Sequence, residues 1–91
     1  MKVRYLNSFL RGFEPLPVRD RQKVTGVVSG LLNIIEKRAR PSKGLGIRKL
    51  RNNLWEARID INARILFALE AGLITFAFVG SHDKIKRYLK R

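Results

Sequence analysis

"LWEARIDINARILFALEAGLITFAFVG", residues 54–80, is the stretch on which the fold turns. In "LWEARID", Trp55, Ala57 and Ile59 alternate with Glu56, Arg58 and Asp60. After a short turn, "ARILFALE" sets Ile65, Phe67 and Leu69 on one face and Arg64, Leu66 and Ala68 on the other. "EAG" at 70–72 reads as a tight turn, and "LITFAFVG" follows with Ile74, Phe76 and Phe78 on one face. A period of two marks strands, and three strands on short connections make an antiparallel meander. The bulky face of Trp55, Ile59, Phe67, Phe76 and Phe78 must be covered. The second face bears Glu56, Arg58 and Arg64 among smaller apolar residues.

The cover lies upstream, where the period changes. Val24, Val27, Val28, Leu31, Ile34 and Ile35 fall at steps of three and four, one apolar stripe on a helix that begins at Pro17. Gly26 and Gly30 lower helix propensity by about 1 kcal/mol each and leave a flat strip, expected to be packed closely by another element. Before this helix, "KVRYL" at 2–6 alternates as a short strand. Asn7 or Ser8 then caps a short helix carrying Phe9, Leu10 and Phe13, which Pro15 and Pro17 stop. Between helix and meander, "RARPSKGLGIRK" at 38–49 has the composition of a loop, a basic arm beside whatever site the sheet carries. Downstream, "HDKIKRYLKR" spaces Ile85 and Leu89 as a closing helical turn or two. The expected order is β-α-α-β-β-β-α over a single domain, 1–91. It is an α+β fold, a small antiparallel sheet with the two N-terminal helices packed on one face.

Composition narrows function. Lys and Arg number 20 against 7 Asp and Glu, a formal charge of +13, while 45 % of residues are hydrophobic. That is a real core under a field that attracts polyanions, nucleic acid first among them, with an acidic protein partner as the other reading. Cysteine is absent, which suits a reducing cytosol, and a cytoplasmic location is expected. No secretory h-region opens the chain, and the longest apolar stretch is too short to span a bilayer and is interrupted by Glu70, so no membrane role is expected. One histidine, no cysteine and scattered carboxylates do not make an ordinary metal site, and no phosphate-binding glycine loop occurs. No metal or other cofactor is expected.

RNA brings its own nucleophile, the 2′-hydroxyl beside each phosphodiester. Cutting it needs a base, a cation for the phosphorane charge and an acid for the leaving oxygen. His and Arg are the side chains suited to proton transfer near neutrality and to bidentate phosphate binding. Here "KLRNNLWEAR", "ARILF" and "FVGSHDKIKRY" resemble, in that order, the core of the RelE/ParE toxin superfamily, RelE- and HigB-like chains in particular. The resemblance covers the whole chain in element order and residues 47–88 in detail. It implies a RelE-like fold and a type II toxin, a metal-independent mRNA endonuclease acting on the ribosome or on free message, neutralised by a cognate antitoxin. In ParE relatives the same fold poisons DNA gyrase instead. A non-catalytic nucleic-acid-binding protein is the third reading.

Carried over, the resemblance puts Arg64 at the phosphate-binding arginine and Arg58 at a basic position serving substrate or transition-state charge. His82 falls where RelE-like enzymes place a catalytic basic residue, and Tyr88 at a C-terminal tyrosine used in proton transfer or stacking. Glu56 stands where RelE has a lysine and is a candidate base; Ala63 replaces the aromatic that often precedes the arginine. Lys43, Arg48, Lys49, Arg51, Lys84, Lys86 and Arg87 are expected to hold RNA through charge. Each has a plainer reading beside it. His82 sits in "SHD", a helix start with Ser81 and Asp83 as caps. Tyr88 reads equally as a half-buried anchor, and Glu56 as a cross-strand partner of Arg58 or Arg64.

Overall fold

The computed structural model describes residues 1–37 and 46–90. The elements run β1 (Lys2–Tyr5), α1 (Asn7–Phe13), α2 (Val18–Glu36), β2 (Ile47–Arg51), β3 (Leu54–Arg58), β4 (Arg64–Glu70), β5 (Leu73–Gly80) and α3 (His82–Leu89). The five strands form one sheet in the order β1-β5-β4-β3-β2. The meander of β3, β4 and β5 is antiparallel, as its alternation predicts, but β1 joins β5 in parallel, so the sheet is mixed.

β2 corrects the expected order. Residues 47–49 fall in the predicted loop, yet Ile47 to Arg51 pair antiparallel with β3. An edge strand meets water on its outer side and can carry basic residues at adjacent positions, as Arg48 and Lys49 do here, which hides its alternation. Ile47 reaches the main core, at 7 % exposure, and half-buried Leu50 packs on the cluster of the other face. The hairpin turns at Asn52 and Asn53, with Asn52 in the left-handed region at φ 46°. Asn is among the few residues that tolerate it. Lys43 and the rest of 38–45 lie outside the described residues.

The main core sits between α1, α2 and one sheet face. Phe9, Val24, Val28 and Leu31 pack there on Ile65, Phe67, Ile74 and Phe76, with Trp55 and Ile59 at the margin. The expected apolar stripe of α2 is therefore its buried face. Two local expectations fail. Leu6, not Asn7 or Ser8, is the N-cap of α1, and Ser8 instead donates its hydroxyl hydrogen bond to the Ala77 carbonyl. Gly26 and Gly30 have, among the described residues, no atom within 4 Å of where a Cβ would stand, so no described element packs on them.

Phe78 is also on the other face from the one its period assigned. The pairing of β4 with β5 shifts register between Leu66, opposite Phe78, and Phe67, opposite Phe76. Ala77 is the extra residue of a bulge, and a one-residue slip exchanges faces. Val79 consequently takes the core position, while Phe78 joins Leu66, Ala77 and Ile85 in a second cluster under α3. The third helix thus covers the sheet face opposite α1 and α2.

Candidate functional site

The second sheet face gathers the charges. Glu56 is the most buried ionic group there, 2 % exposed. Its Oε1 accepts from Arg64 Nη1 at 2.6 Å and from Arg48 Nη2 at 2.8 Å. Strand register brings the three together, since Arg48 is the direct partner of Glu56 on β2 and Arg64 lies two positions along β4. One carboxylate oxygen shared by two guanidinium groups is charge-assisted on both sides and offsets its own desolvation. The Arg64 side chain is 23 % exposed and that of Arg48 63 %, so both still present cationic surface to solvent. Arg58, directly across from Arg64, is exposed. Its backbone N–H donates to the Gly46 carbonyl; Gly46 has a φ of +71°, and a Cβ there would stand 2.9 Å from the Arg58 Cβ, which leaves no room for a side chain.

On its other side Arg64 faces Gly80, the last residue of β5. Ser81 caps α3 by accepting from the Lys84 amide at 3.2 Å, and His82 is the first helical residue. The plain reading of "SHD" as a helix start is therefore correct for Ser81. His82 is half-buried, and its Nδ1 is buried with no hydrogen-bond partner among the described residues. The Arg21 Nε shares this status. Tyr88, two turns on, stacks on Phe78 at 4.8 Å and brings its hydroxyl to 3.3 Å from the Ser8 hydroxyl.

The basic residues divide. Arg48 belongs to the Glu56 cluster, and Lys84, Lys86 and Arg87 are exposed along α3. Arg51 is exposed at the hairpin end, opposite Leu54. Lys49 points to the helix-bearing face, its ammonium 5.9 Å from the Trp55 ring centroid, and does not join the others.

Next to Arg64 the sheet ends in an open cleft of about 840 Å³ between α1, the start of α2, the β3–β4 turn and the start of α3. The turn is tied by its own side chain: the Asp60 carboxylate accepts from the Asn62 amide at 2.8 Å and the Ala63 amide at 2.9 Å, with Lys23 Nζ at 3.5 Å. The Asn62 N–H, joined by those of Ala63 and the Lys23 charge, holds the Asp60 carboxyl below its ordinary value of 3.8, against a smaller opposing effect of desolvation. Arg11, Asp20, Lys23 and Asn62 line this cleft and were not visible as a group, because they come from three separate segments. Arg48 falls in a stretch with the composition of a loop, and its place beside Glu56 follows only from the pairing of β2 with β3.

No protein-family model matches the chain, and no curated protein matches it in sequence. Solved structures do match in shape. YafQ from E. coli strain BL21(DE3) is 14 % identical over 92 % of this chain and 96 % of its own, with a TM-score of 0.67. A chain of the RelB–RelE antitoxin–toxin complex from Methanococcus jannaschii is 18 % identical over 93 % and 96 %, TM-score 0.70. The YoeB/ParE toxin from Agrobacterium tumefaciens is 18 % identical over 90 % and 99 %, TM-score 0.68. At identities this low the likeness is one of fold: the chain shares the fold of these YafQ, RelE and YoeB/ParE toxin structures.

Proposed function

We propose that the protein is the toxin of a type II toxin–antitoxin pair and acts as a metal-independent endoribonuclease on messenger RNA, on or off the ribosome. The observation that carries this reading is Arg64: a partly exposed guanidinium fixed by buried Glu56, directly across the sheet from the strand end that leads to His82. The toxin folds it matches support the same reading. Arg64 binds a phosphate oxygen of the scissile group, and exposed Arg58 meets the charge that develops on the phosphorane. The 2′-oxygen loses its proton to a base and bonds to phosphorus, while the 5′-oxygen leaves and takes a proton from an acid. His82 and Tyr88 are the proton-transfer groups. Glu56 acts on this reading as the positioning residue that holds Arg64, because its Oε1 is already taken and almost no surface is left to meet a substrate. Arg48, Arg51, Lys84, Lys86 and Arg87 draw the RNA backbone. The partner that silences the toxin is a cognate antitoxin, as in the RelB–RelE and DinJ–YafQ complexes whose toxin folds it shares.

Induction in growing cells tests this. Wild type arrests growth, and Arg64→Ala, checked for an unchanged circular dichroism spectrum, abolishes the arrest. Undiminished toxicity of the variant contradicts the assignment and points to the gyrase-poison reading.

A further inference from the structure

Ser8 and Tyr88, from opposite ends of the chain, both line the cleft, and their hydroxyl oxygens stand 3.3 Å apart. Such a contact has two possible directions, and the surroundings choose one. A serine hydroxyl carries a single hydrogen. That of Ser8 is already given to the carbonyl of Ala77, the residue that the bulge of β5 leaves without a strand partner. Ser8 therefore accepts, and Tyr88 donates. The packing of α1 holds this arrangement in place. Gly12, one turn after Ser8 on the same helix face, has no Cβ, and the helix lies against the Val79 carbonyl there. Stacking on Phe78 at 4.8 Å sets the plane of the phenol ring.

The chain of hydrogen bonds runs from Tyr88 to Ser8 to the Ala77 carbonyl and ends there, because an amide oxygen does not take up a proton near neutrality. A proton received by Tyr88 has no onward path, whereas its own proton can be given to a group in the cleft. Once that proton leaves, the Ser8 hydroxyl is within reach to turn its hydrogen from Ala77 onto the phenolate oxygen, a stronger bond than the one it gives up. We propose that Ser8 is the positioning residue of Tyr88, and that Tyr88 is the acid of RNA cleavage and not its base. In that step the 2′-oxygen loses its proton to a base and bonds to phosphorus. The bond from phosphorus to the 5′-oxygen breaks, and the 5′-oxygen takes the phenol proton. Water then returns a proton to Tyr88. The acid role rests on the ribonuclease reading; the direction of the hydrogen bond rests on Ser8, Ala77 and Tyr88 alone.

Two measurements on the full chain keep these halves apart. In a Tyr5→Phe background Tyr88 is the one tyrosine left, and the intensity ratio of its Raman doublet reads whether the phenol donates or accepts. A donor signature that shifts in Ser8→Ala and is kept in Ser8→Thr is expected. An acceptor signature, or one that Ser8→Ala leaves unchanged, overturns the pairing. Cleavage rates at saturating RNA read the role. Ser8→Ala should slow cleavage about tenfold, the scale of one hydrogen bond to a charged group, and Ser8→Thr should restore most of the rate. Added to Tyr88→Phe, Ser8→Ala should cost nothing further. On RNA whose scissile 5′-oxygen is replaced by sulfur, a leaving group that needs no acid, both defects should vanish. A Ser8→Ala defect that persists on the sulfur substrate, or that adds in full to that of Tyr88→Phe, overturns the assignment. Should Ser8→Ala not fold, Tyr88→Phe on the two RNAs decides the acid role. No cleavage of either RNA by wild type refutes the ribonuclease reading and the acid role with it, while the Raman result still decides the pairing.

Discussion

Glu56 is the residue on which the candidate site depends. A carboxylate 2 % exposed is costly to bury, and here two arginines reach the same oxygen from neighbouring strands. Replacing it by Gln keeps the shape and removes the charge, leaving Arg64 without its counter-ion. Urea unfolding followed by circular dichroism should show Glu56→Gln destabilised by about 2 kcal/mol, the scale of hydrogen bonds to charged groups discounted for the exposure of Arg48. A change under about 0.5 kcal/mol, typical of surface ion pairs, would mean the pair is solvated and does not position Arg64. That Glu56 pairs across strands with Arg64 was one of two readings open from sequence, since alternation puts both on one face. That Arg48 shares the same oxygen was not legible, because nothing in "GIRKLR" alternates clearly enough to announce a strand.

At the scale of elements, the close fit of α1 to the sheet is set by one glycine. β1 leaves β5 after Phe76, and α1 then runs beside the remaining, bulged part of β5. A Cβ on Gly12 would stand 2.5 Å from the Val79 carbonyl oxygen, a backbone atom with little freedom to yield. Gly12→Ala should cost about 1–3 kcal/mol by overpacking despite the better helix propensity of Ala, read as a lowered midpoint of thermal unfolding. A midpoint equal to or above wild type would show that α1 does not sit this close. The same region explains where sequence reading stops. Period two placed β3, β4 and the first half of β5 correctly, through Phe67 and Phe76. Past Ala77 the bulge exchanges Phe78 with Val79, and a bulge leaves no mark in an unbroken apolar run. The close approach of Gly12 is equally silent, whereas Gly26 and Gly30, which look like a packing strip, face nothing within 4 Å among the described residues.

The whole molecule is a highly cationic sheet with helices on both faces, the first pair forming the core and the third bringing His82 and Tyr88 to the charged side. No helix among the described residues is long and apolar enough to cross a membrane. A charge of +13 on 91 residues makes any polyanion a partner at low salt, so binding alone says little about function; cleavage at defined bonds does. The meander, the two N-terminal helices and the closing helix were legible because they reside in strong periods; edge strand β2 was not. The cleft was not, because its walls come from residues as far apart as 8 and 88. The most direct test of the account is primer extension on cellular mRNA after brief induction of wild type and of a His82→Ala, Tyr88→Ala double variant. The account predicts discrete cuts with wild type and none with the variant. No cuts from wild type, or the same cuts from both, would contradict it.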